Sequence, residues 1–161
     1  MAPAGLLVLR VVLATLLAVH AAHWLFGTFA GAALGPGGLT ATTTYFAATG
    51  MGPAFLFVLV AGSAQLAGGF LLVIGLFTRV VSIVLIVIEV ARMSFDSARW
   101  GFFLNWALDA TRGHGIEYGV LVMAALACLA FAGAGEWSID GVRDRTRAAR
   151  VAGRARIRDH A

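Results

Sequence analysis

Charged side chains are scarce in this chain of 161 residues. They make up 12% of the sequence, whereas hydrophobic residues make up 60%. A soluble globular domain carries about twice that share of charge and is about half apolar. The excess of apolar residues cannot be hidden in so small a core, because small domains keep much of their surface in solvent. We therefore predict one domain whose surroundings are lipid.

Cysteine is nearly missing and lysine is wholly missing. Cys128, in the last apolar segment, is the single cysteine. One thiol can form neither an internal disulfide nor a CxxC redox pair, so we interpret it as a small core residue. All 12 basic side chains are arginines, a compositional bias from which no function follows.

The sequence also lacks a self-sufficient catalytic motif. It contains no nucleophile–base pair, no phosphate-binding loop and no strong metal-ligand spacing. We do not expect the chain to be an enzyme by itself, although an accessory role in an oxidoreductase stays open.

What the sequence does contain is long apolar segments. A helix that crosses the hydrocarbon core needs about 20 residues. Four segments qualify, namely Gly5–Phe29, Pro53–Leu76, a segment that follows Arg79, and Ile116–Ala134. The predicted fold class is therefore all-α, an integral membrane four-helix bundle.

Two local patterns add detail. In the first loop, Gly35 and Pro36 indicate a turn, and the threonines that follow predict a short helix leading to Tyr45 and Phe46. Small residues in the second span indicate close contact between helices. They are Gly62, Ala64, Gly68 and Gly69.

The third span carries charge. Its apolar part, Val80–Met93, would rise only about 21 Å at 1.5 Å per residue, so the helix is expected to continue. Glu89, Arg92, Asp96 and Arg99 then form one stripe with alternating signs. Such a self-neutralising ladder is how a helix carries charge at membrane depth.

The arginines predict the topology. Seven of the 12 lie between Arg143 and Arg158, and basic residues are enriched on the cytoplasmic side of membranes. With four spans, the N-terminus and the C-terminus are then both cytoplasmic. We predict a four-span domain at residues 1–140 and a basic cytoplasmic tail at residues 141–161. The tail would contact anionic lipid headgroups or simply be solvated, and nucleic acid is not the expected partner.

Several motifs follow one another along the chain, namely Arg10, HAAHWLFGTF (20–29), AGSAQLAGGFLLVIGLFTR (61–79), GFFLNW (101–106) and GIEYGVLVMAALACLAFAGAGEWSID (115–140). Their order resembles the DoxX-like family of four-helix bacterial integral membrane proteins. The resemblance implies a multi-pass protein of the bacterial cytoplasmic (inner) membrane. It also implies a subunit tied to redox enzymes, because family relatives are associated with thiosulfate:quinone oxidoreduction and with membrane-attached oxidative-stress complexes. Gln65 stands where the family often has Glu.

Ionisable groups inside spans are costly and often functional. The sharper interpretation is a polar pocket near the outer interface that holds a quinone headgroup or an anion. The plainer interpretation is structural, with His20 hydrogen-bonded to a neighbouring helix and with Glu89 and Asp96 neutralising Arg92. The candidate pocket residues are Arg10, His20, Gln65, Glu89, Arg92, Asn105, Glu117 and Tyr118.

A metal site is a weaker alternative. His20 and His23 are three residues apart and can share a helix face, as can His114 and Glu117. With Asp109 they would gather a metal ion only if the first and fourth helices meet there. Such pairs are common and define no ligand geometry, so no metal is predicted and quinone is the one cofactor considered.

Two functions remain open at this point. The first is a non-catalytic membrane subunit or anchor of a redox system, bound to a membrane or membrane-attached redox protein. The second is a small-solute transporter or channel-like protein, for which four spans would build a path as a homo-oligomer. The lack of a clear inverted repeat disfavours the second.

Overall fold

The computed structural model describes residues 3–29, 37–109 and 111–159, with side chains described as far as residue 152. Within these residues all regular structure is helical, which confirms the predicted all-α class. The turn predicted at Gly35 and Pro36 lies outside them. The helices are α1 (Pro3–Phe26), α2 (Leu39–Ala48), α3 (Ala54–Ile74), α4 (Thr78–Phe95), α5 (Glu117–Ala132) and α6 (Ile139–Asp159), with a 3₁₀ turn at Ala98–Trp100.

Four of these helices contact one another in a closed order. Helix α1 packs on α3, α3 on α4, α4 on α5 and α5 on α1. Successive members run in opposite directions. The ends of α1 and α4 therefore lie beside the starts of α3 and α5, and we call this the cleft end. The opposite end, from which α6 leaves, is the tail end.

The predicted short helix is present as α2, which lies against α1 and α3.

Small residues allow close packing around α3, as the sequence predicts. A Cβ atom on Gly69 would lie 3.1 Å from the carbonyl oxygen of Ala14 in α1, and one on Gly62 would lie 2.8 Å from the Leu25 side chain. Gly68 faces Leu85 of α4 instead. Helix α3 therefore presents glycine to both of its neighbours, which is a packing mode favoured in lipid.

The outside of the bundle is apolar. On α4, for example, Val80, Ile83, Val84 and Val87 are all exposed, and a surface of this kind is unusual in water. Helices α1 and α3 are long and apolar enough to cross a membrane, each with a mean hydropathy of 2.1 over its best window. Helix α5 is apolar but has 16 residues, so the count of four spans stays a prediction.

A packed apolar layer fills the middle of the bundle. Leu13, Leu72, Leu85 and Leu126, one from each of the four helices, are at most 3% exposed. The layer separates the polar groups at the cleft end from those at the tail end.

At the tail end, Arg10 joins three parts of the chain. This side chain is fully buried. Its Nη2 donates to the Trp137 carbonyl at 2.6 Å and its Nη1 to the Leu72 carbonyl at 3.5 Å. Gly75 has a φ of +68°, and a Cβ atom there would overlap the Arg10 guanidinium. Arg10 therefore fixes the turn after α3 and the approach to α6.

Asp140 completes this end of the bundle. Its carboxylate accepts hydrogen bonds from the amides of Phe77 and Thr78, at 3.0 and 2.9 Å, where α4 begins. Its own amide donates to the Gly75 carbonyl at 2.9 Å. A carboxylate at a helix N-terminus satisfies free amides and complements the helix dipole, so α6 begins with a residue that caps α4.

The third predicted span differs from expectation at its far end. Helix α4 stops at Phe95, and Asp96 is its C-cap. The expectation that Arg99 continues the charged stripe is wrong, because the chain turns into the 3₁₀ segment and the Arg99 guanidinium stacks over Trp100 at 4.9 Å. The rest of the stripe, Glu89 to Asp96, forms as predicted.

Gly75→Ala tests the packing of Arg10. We expect Gly75→Ala to lower the free energy of unfolding by about 2–4 kcal/mol, through left-handed backbone strain plus the displaced guanidinium. Gly50 is the matched control, since its φ is +88° but open space surrounds it. Gly50→Ala should cost only about 1 kcal/mol. Thermal unfolding in detergent measures both, and equal losses would contradict the role given to Arg10.

Candidate functional site

A cleft of about 660 Å³ opens at the cleft end of the bundle. Its walls come from α1, α2, α4 and α5, with Gln65 from α3, and its floor comes from Leu17 and Val122, which pack in the same core cluster as the apolar layer. Trp24 and Phe46 add aromatic surface. Its polar lining consists of His20, His23, Thr42, Tyr45, Gln65, Glu89, Arg92, Asp96, Ser97, His114 and Tyr118.

An ion triad forms one wall of the cleft. The Arg92 guanidinium holds both oxygens of Glu89, with Nη2–Oε1 and Nε–Oε2 distances of 2.6 and 3.0 Å. Its Nη1 also contacts Asp96 Oδ2 at 3.0 Å. Glu89 is only 5% exposed, so the bidentate pairing compensates a charge removed from water. Two carboxylates against one guanidinium leave the lining with a net negative charge.

Tyr45 ties α2 to this wall. Its hydroxyl donates to Asp96 Oδ1. Burial raises the pKa of Tyr45, and the hydrogen bond to Asp96 raises it further, so the phenol keeps its proton at neutral pH. Thr42 of the same helix donates to the Trp24 carbonyl at 3.3 Å. Helix α2 therefore covers the cleft through one contact to α4 and one to α1.

Hydrogen bonds set the tautomers of three histidines. The Nδ1 atoms of His20 and His23 lie 2.9 and 2.8 Å from the carbonyls of Leu16 and Thr28, so each carries a proton. Their Nε2 atoms are then acceptors in the neutral ring. His114 is the reverse, because its Nδ1 accepts from the Asn105 amide at 3.1 Å, and its Nε2 is a donor.

Gln65 is the residue of the cleft lining whose buried polar atom has no partner among the described residues. Its side chain is 3% exposed, and within the described residues its Oε1 accepts no hydrogen bond. An unpaired buried amide costs about 1–3 kcal/mol. It lines the cleft above the apolar layer. A ligand in the cleft would find a free hydrogen-bonding group there.

Stacked rings stand at the mouth of the cleft. His20 of α1 and Tyr118 of α5 have ring centroids 5.9 Å apart and an interplanar angle of 24°. His20 and Leu16 are exposed, so the opening reaches the outer surface of the bundle on the α1 side.

A comparison with protein families shows which family the chain belongs to. The family model described as DoxX matches residues 5–95, which is more than half of the chain. The chain belongs to the DoxX family. The family and the apolar helices together make it a membrane protein. No curated protein and no solved structure matches the chain significantly.

The DoxX match covers α1 to α4, and with them most of the cleft. It contains Glu89 and Arg92 of the triad, together with His20, His23, Tyr45 and Gln65, whereas Asp96, His114 and Tyr118 lie beyond its end. The cleft is thus built mainly from the part of the chain that the family shares, and it is completed by the loop before α5 and the start of that helix.

Of the eight residues predicted to form a pocket in this DoxX protein, the structure brings five together. These five are His20, Gln65, Glu89, Arg92 and Tyr118. Arg10 is not among them, because ten residues of α1 place it at the tail end, below the apolar layer.

Asn105 and Glu117 also stay outside the cleft, since the loop between α4 and α5 uses them for its own hydrogen bonds. The Asn105 amide group donates to the carbonyls of Asp109 and Arg112 at 2.8 and 2.6 Å. Glu117 Oε2 accepts from the Leu104 amide at 3.1 Å. Both side chains satisfy backbone groups of the loop and so hold His114 at the cleft.

Six polar residues of the cleft lining were not among the predicted pocket residues. Asp96 had been assigned to the charged stripe, and His23 and His114 to the metal alternative, so these three carried a signal. The other three carried no signal for a pocket, because only the fold brings them to the cleft. The six are His23, Thr42, Tyr45, Asp96, Ser97 and His114.

The alternative of a metal site finds no support in the geometry. Asp109 accepts hydrogen bonds from the Thr111 hydroxyl and amide, which lower its pKa, and Glu117 is bound to the loop. Within residues 3–29, 37–109 and 111–159, no group of three or more His, Cys, Asp or Glu is arranged to hold a metal ion.

Arg92→Met tests the triad. Removing the guanidinium leaves Glu89 and Asp96 uncompensated, so the free energy of unfolding should fall by about 3–5 kcal/mol. Adding Glu89→Gln to Arg92→Met should recover part of the loss. Ser94→Ala, an exposed change on the same helix, is the control and should be neutral. Chemical or thermal unfolding in detergent gives the comparison, and an Arg92→Met protein as stable as the control would refute the assignment.

Proposed function

We propose that this chain is a membrane subunit of a quinone-linked redox system, without catalysis of its own, and that the cleft receives the quinone headgroup. The observation that carries the proposal is Gln65, which lines the cleft with Trp24 and Phe46 and whose buried Oε1 has no hydrogen-bond partner among the described residues. Ligand sites combine apolar walls with a few convergent polar groups, and this cleft has that composition.

The hydrogen-bonding groups suit both oxidation states of such a headgroup. The carbonyl oxygens of a quinone accept hydrogen bonds, and the Gln65 amide nitrogen and His114 Nε2 are donors. The hydroxyls of a quinol donate, and the unpartnered Oε1 of Gln65 and the Nε2 atoms of His20 and His23 are acceptors. The flat ring would lie against Trp24 and Phe46. The cleft therefore has partners for either form, while electrons would come from another protein.

The membrane arrangement is part of the proposal. We place α1, α3, α4 and α5 across the bilayer, since 16 to 24 residues rise about 24–36 Å against about 30 Å of hydrocarbon. The arginines of α6, with Arg79, put the tail end in the cytoplasm. The protein would then be a multi-pass component of the bacterial inner membrane with its cleft toward the outer leaflet.

Two arguments support the proposed association with a redox system. They are the resemblance to DoxX-like proteins and the lack of redox-active groups in the chain itself. With one cysteine and no cofactor-binding motif, the chain needs a membrane or membrane-attached redox protein as its partner.

The apolar layer beneath the cleft disfavours the alternative of a small-solute transporter, because Leu13, Leu72, Leu85 and Leu126 would have to separate to open a path.

Quinone binding to Gln65 is testable directly. In lipid nanodiscs, a short-chain ubiquinone or menaquinone analogue should quench tryptophan fluorescence saturably, since Trp24 lines the cleft. Gln65→Met removes a hydrogen bond worth about 1 kcal/mol and should weaken binding about five- to tenfold. Ser63→Ala, on the exposed face of α3, should leave the Kd unchanged. Failure of both quinone and quinol to bind saturably would overturn the proposal.

The role as a subunit needs a separate experiment. Purification of the tagged chain from its native membrane in mild detergent should recover a redox protein in fixed ratio. If the chain is recovered alone from several detergents, while quinone binding is retained, the cleft assignment survives and the subunit role fails.

A further inference from the structure

A second concavity, of about 1140 Å³, lies at the tail end. It is bordered by the start of α4, the connection between α5 and α6 and the first turns of α6. We call it the arginine pocket, after Arg79, Arg143, Arg145, Arg147 and Arg150, which line it.

Positive charge exceeds negative charge in this pocket. Five arginines face three carboxylates, those of Glu136, Asp140 and Asp144. Asp140 is already engaged by the amides at the start of α4. Among the side chains that the structure describes, ion pairs within 4 Å involve Arg92 and not the arginines of the pocket.

Arg79 occupies an unfavourable position in its own helix. It is the second residue of α4, and a cation in the first turn of a helix is opposed by the helix dipole. The stability of α4 therefore does not explain the Arg79 guanidinium, whereas a bound anion would compensate its charge.

One margin of the pocket is apolar and exposed. Phe77, Val80 and Val142 line it with exposed fractions of 55%, 61% and 54%. Arg143 lies over the Phe77 ring at 5.5 Å. Val80 begins the exposed row that continues through Ile83, Val84 and Val87 along α4. The arginine pocket thus continues into the exposed apolar row of α4. A ligand with a phosphate group at one end and a hydrocarbon chain at the other would match both surfaces.

We infer that the arginine pocket binds the phosphate headgroup of an anionic phospholipid whose acyl chains lie along the exposed row of α4. Guanidinium groups pair with phosphate in a bidentate manner, and basic pockets at the cytoplasmic face of membrane helices select anionic lipid. The bound lipid would add to the contacts that Asp140 and Arg143 of α6 make with the start of α4. This inference rests on the membrane arrangement proposed above and not on quinone binding in the cleft.

Native mass spectrometry of the full chain in detergent, with phosphatidylglycerol or phosphatidylcholine added, tests the inference. The wild type should retain phosphatidylglycerol at least fivefold better than phosphatidylcholine. Arg79→Gln with Arg143→Gln should abolish this preference, and Arg79→Lys should keep part of it. Arg99→Gln with Arg112→Gln removes the same charge at the cleft end and is the matched control.

Three outcomes would overturn the inference. The first is equal retention of the two lipids by the wild type. The second is an equal loss in the control variant, which would show that net charge alone acts. The third is full displacement of phosphatidylglycerol by millimolar inorganic phosphate, which would show a site for a free anion. If Arg79→Gln with Arg143→Gln does not fold, the wild-type thermal shift decides, since phosphatidylglycerol should raise Tm more than phosphatidylcholine does.

Discussion

A guanidinium group in an apolar interior must be surrounded by acceptors, because the cost of burying an uncompensated charge exceeds the total stability of most domains. The bundle meets this constraint twice. At the tail end, the two terminal nitrogens of Arg10 donate to the carbonyls of Leu72 and Trp137, while its Nε has no partner among the described residues. At the cleft end, Arg92 is bound by Glu89 and Asp96. Between them lies an apolar layer that keeps the two polar regions apart.

The two arginines have different consequences. Arg10 donates to backbone carbonyls, and these hydrogen bonds hold the Gly75 turn and the segment before α6 together at the tail end. Arg92 pairs with carboxylate side chains, which need space between the helices. Gly119 of α5 provides it, since a Cβ atom there would lie 2.9 Å from Glu89 Oε1. Tyr45 bridges from α2 to Asp96, and the cleft lies beside these side chains.

Local patterns in the sequence were sufficient to predict much of this. The four apolar segments, the short helix before Tyr45, the glycine contacts of α3 and the Glu89–Arg92–Asp96 stripe all depend on residues within about two helical turns of one another, so spacing reveals them. The end of α4 was misplaced, because a length argument cannot detect that the chain turns at Asp96.

The remainder depends on contacts between distant segments. Arg10 and Trp137 are 127 residues apart, and Tyr45 and Asp96 are 51 apart. Periodicity carries no information about such pairs. The same limit explains why Asn105 and Glu117 were assigned to the pocket, although they bind loop amides and carbonyls.

An experimental structure of the protein in lipid nanodiscs, with a short-chain quinone added, would test the central claim most directly. The account predicts that Arg92 stays bound to Glu89 and Asp96 and that a flat density lies in the cleft within hydrogen-bonding distance of Gln65. A cleft filled by side chains, with Arg92 turned toward the lipid headgroups and its two carboxylates unpaired, would contradict it.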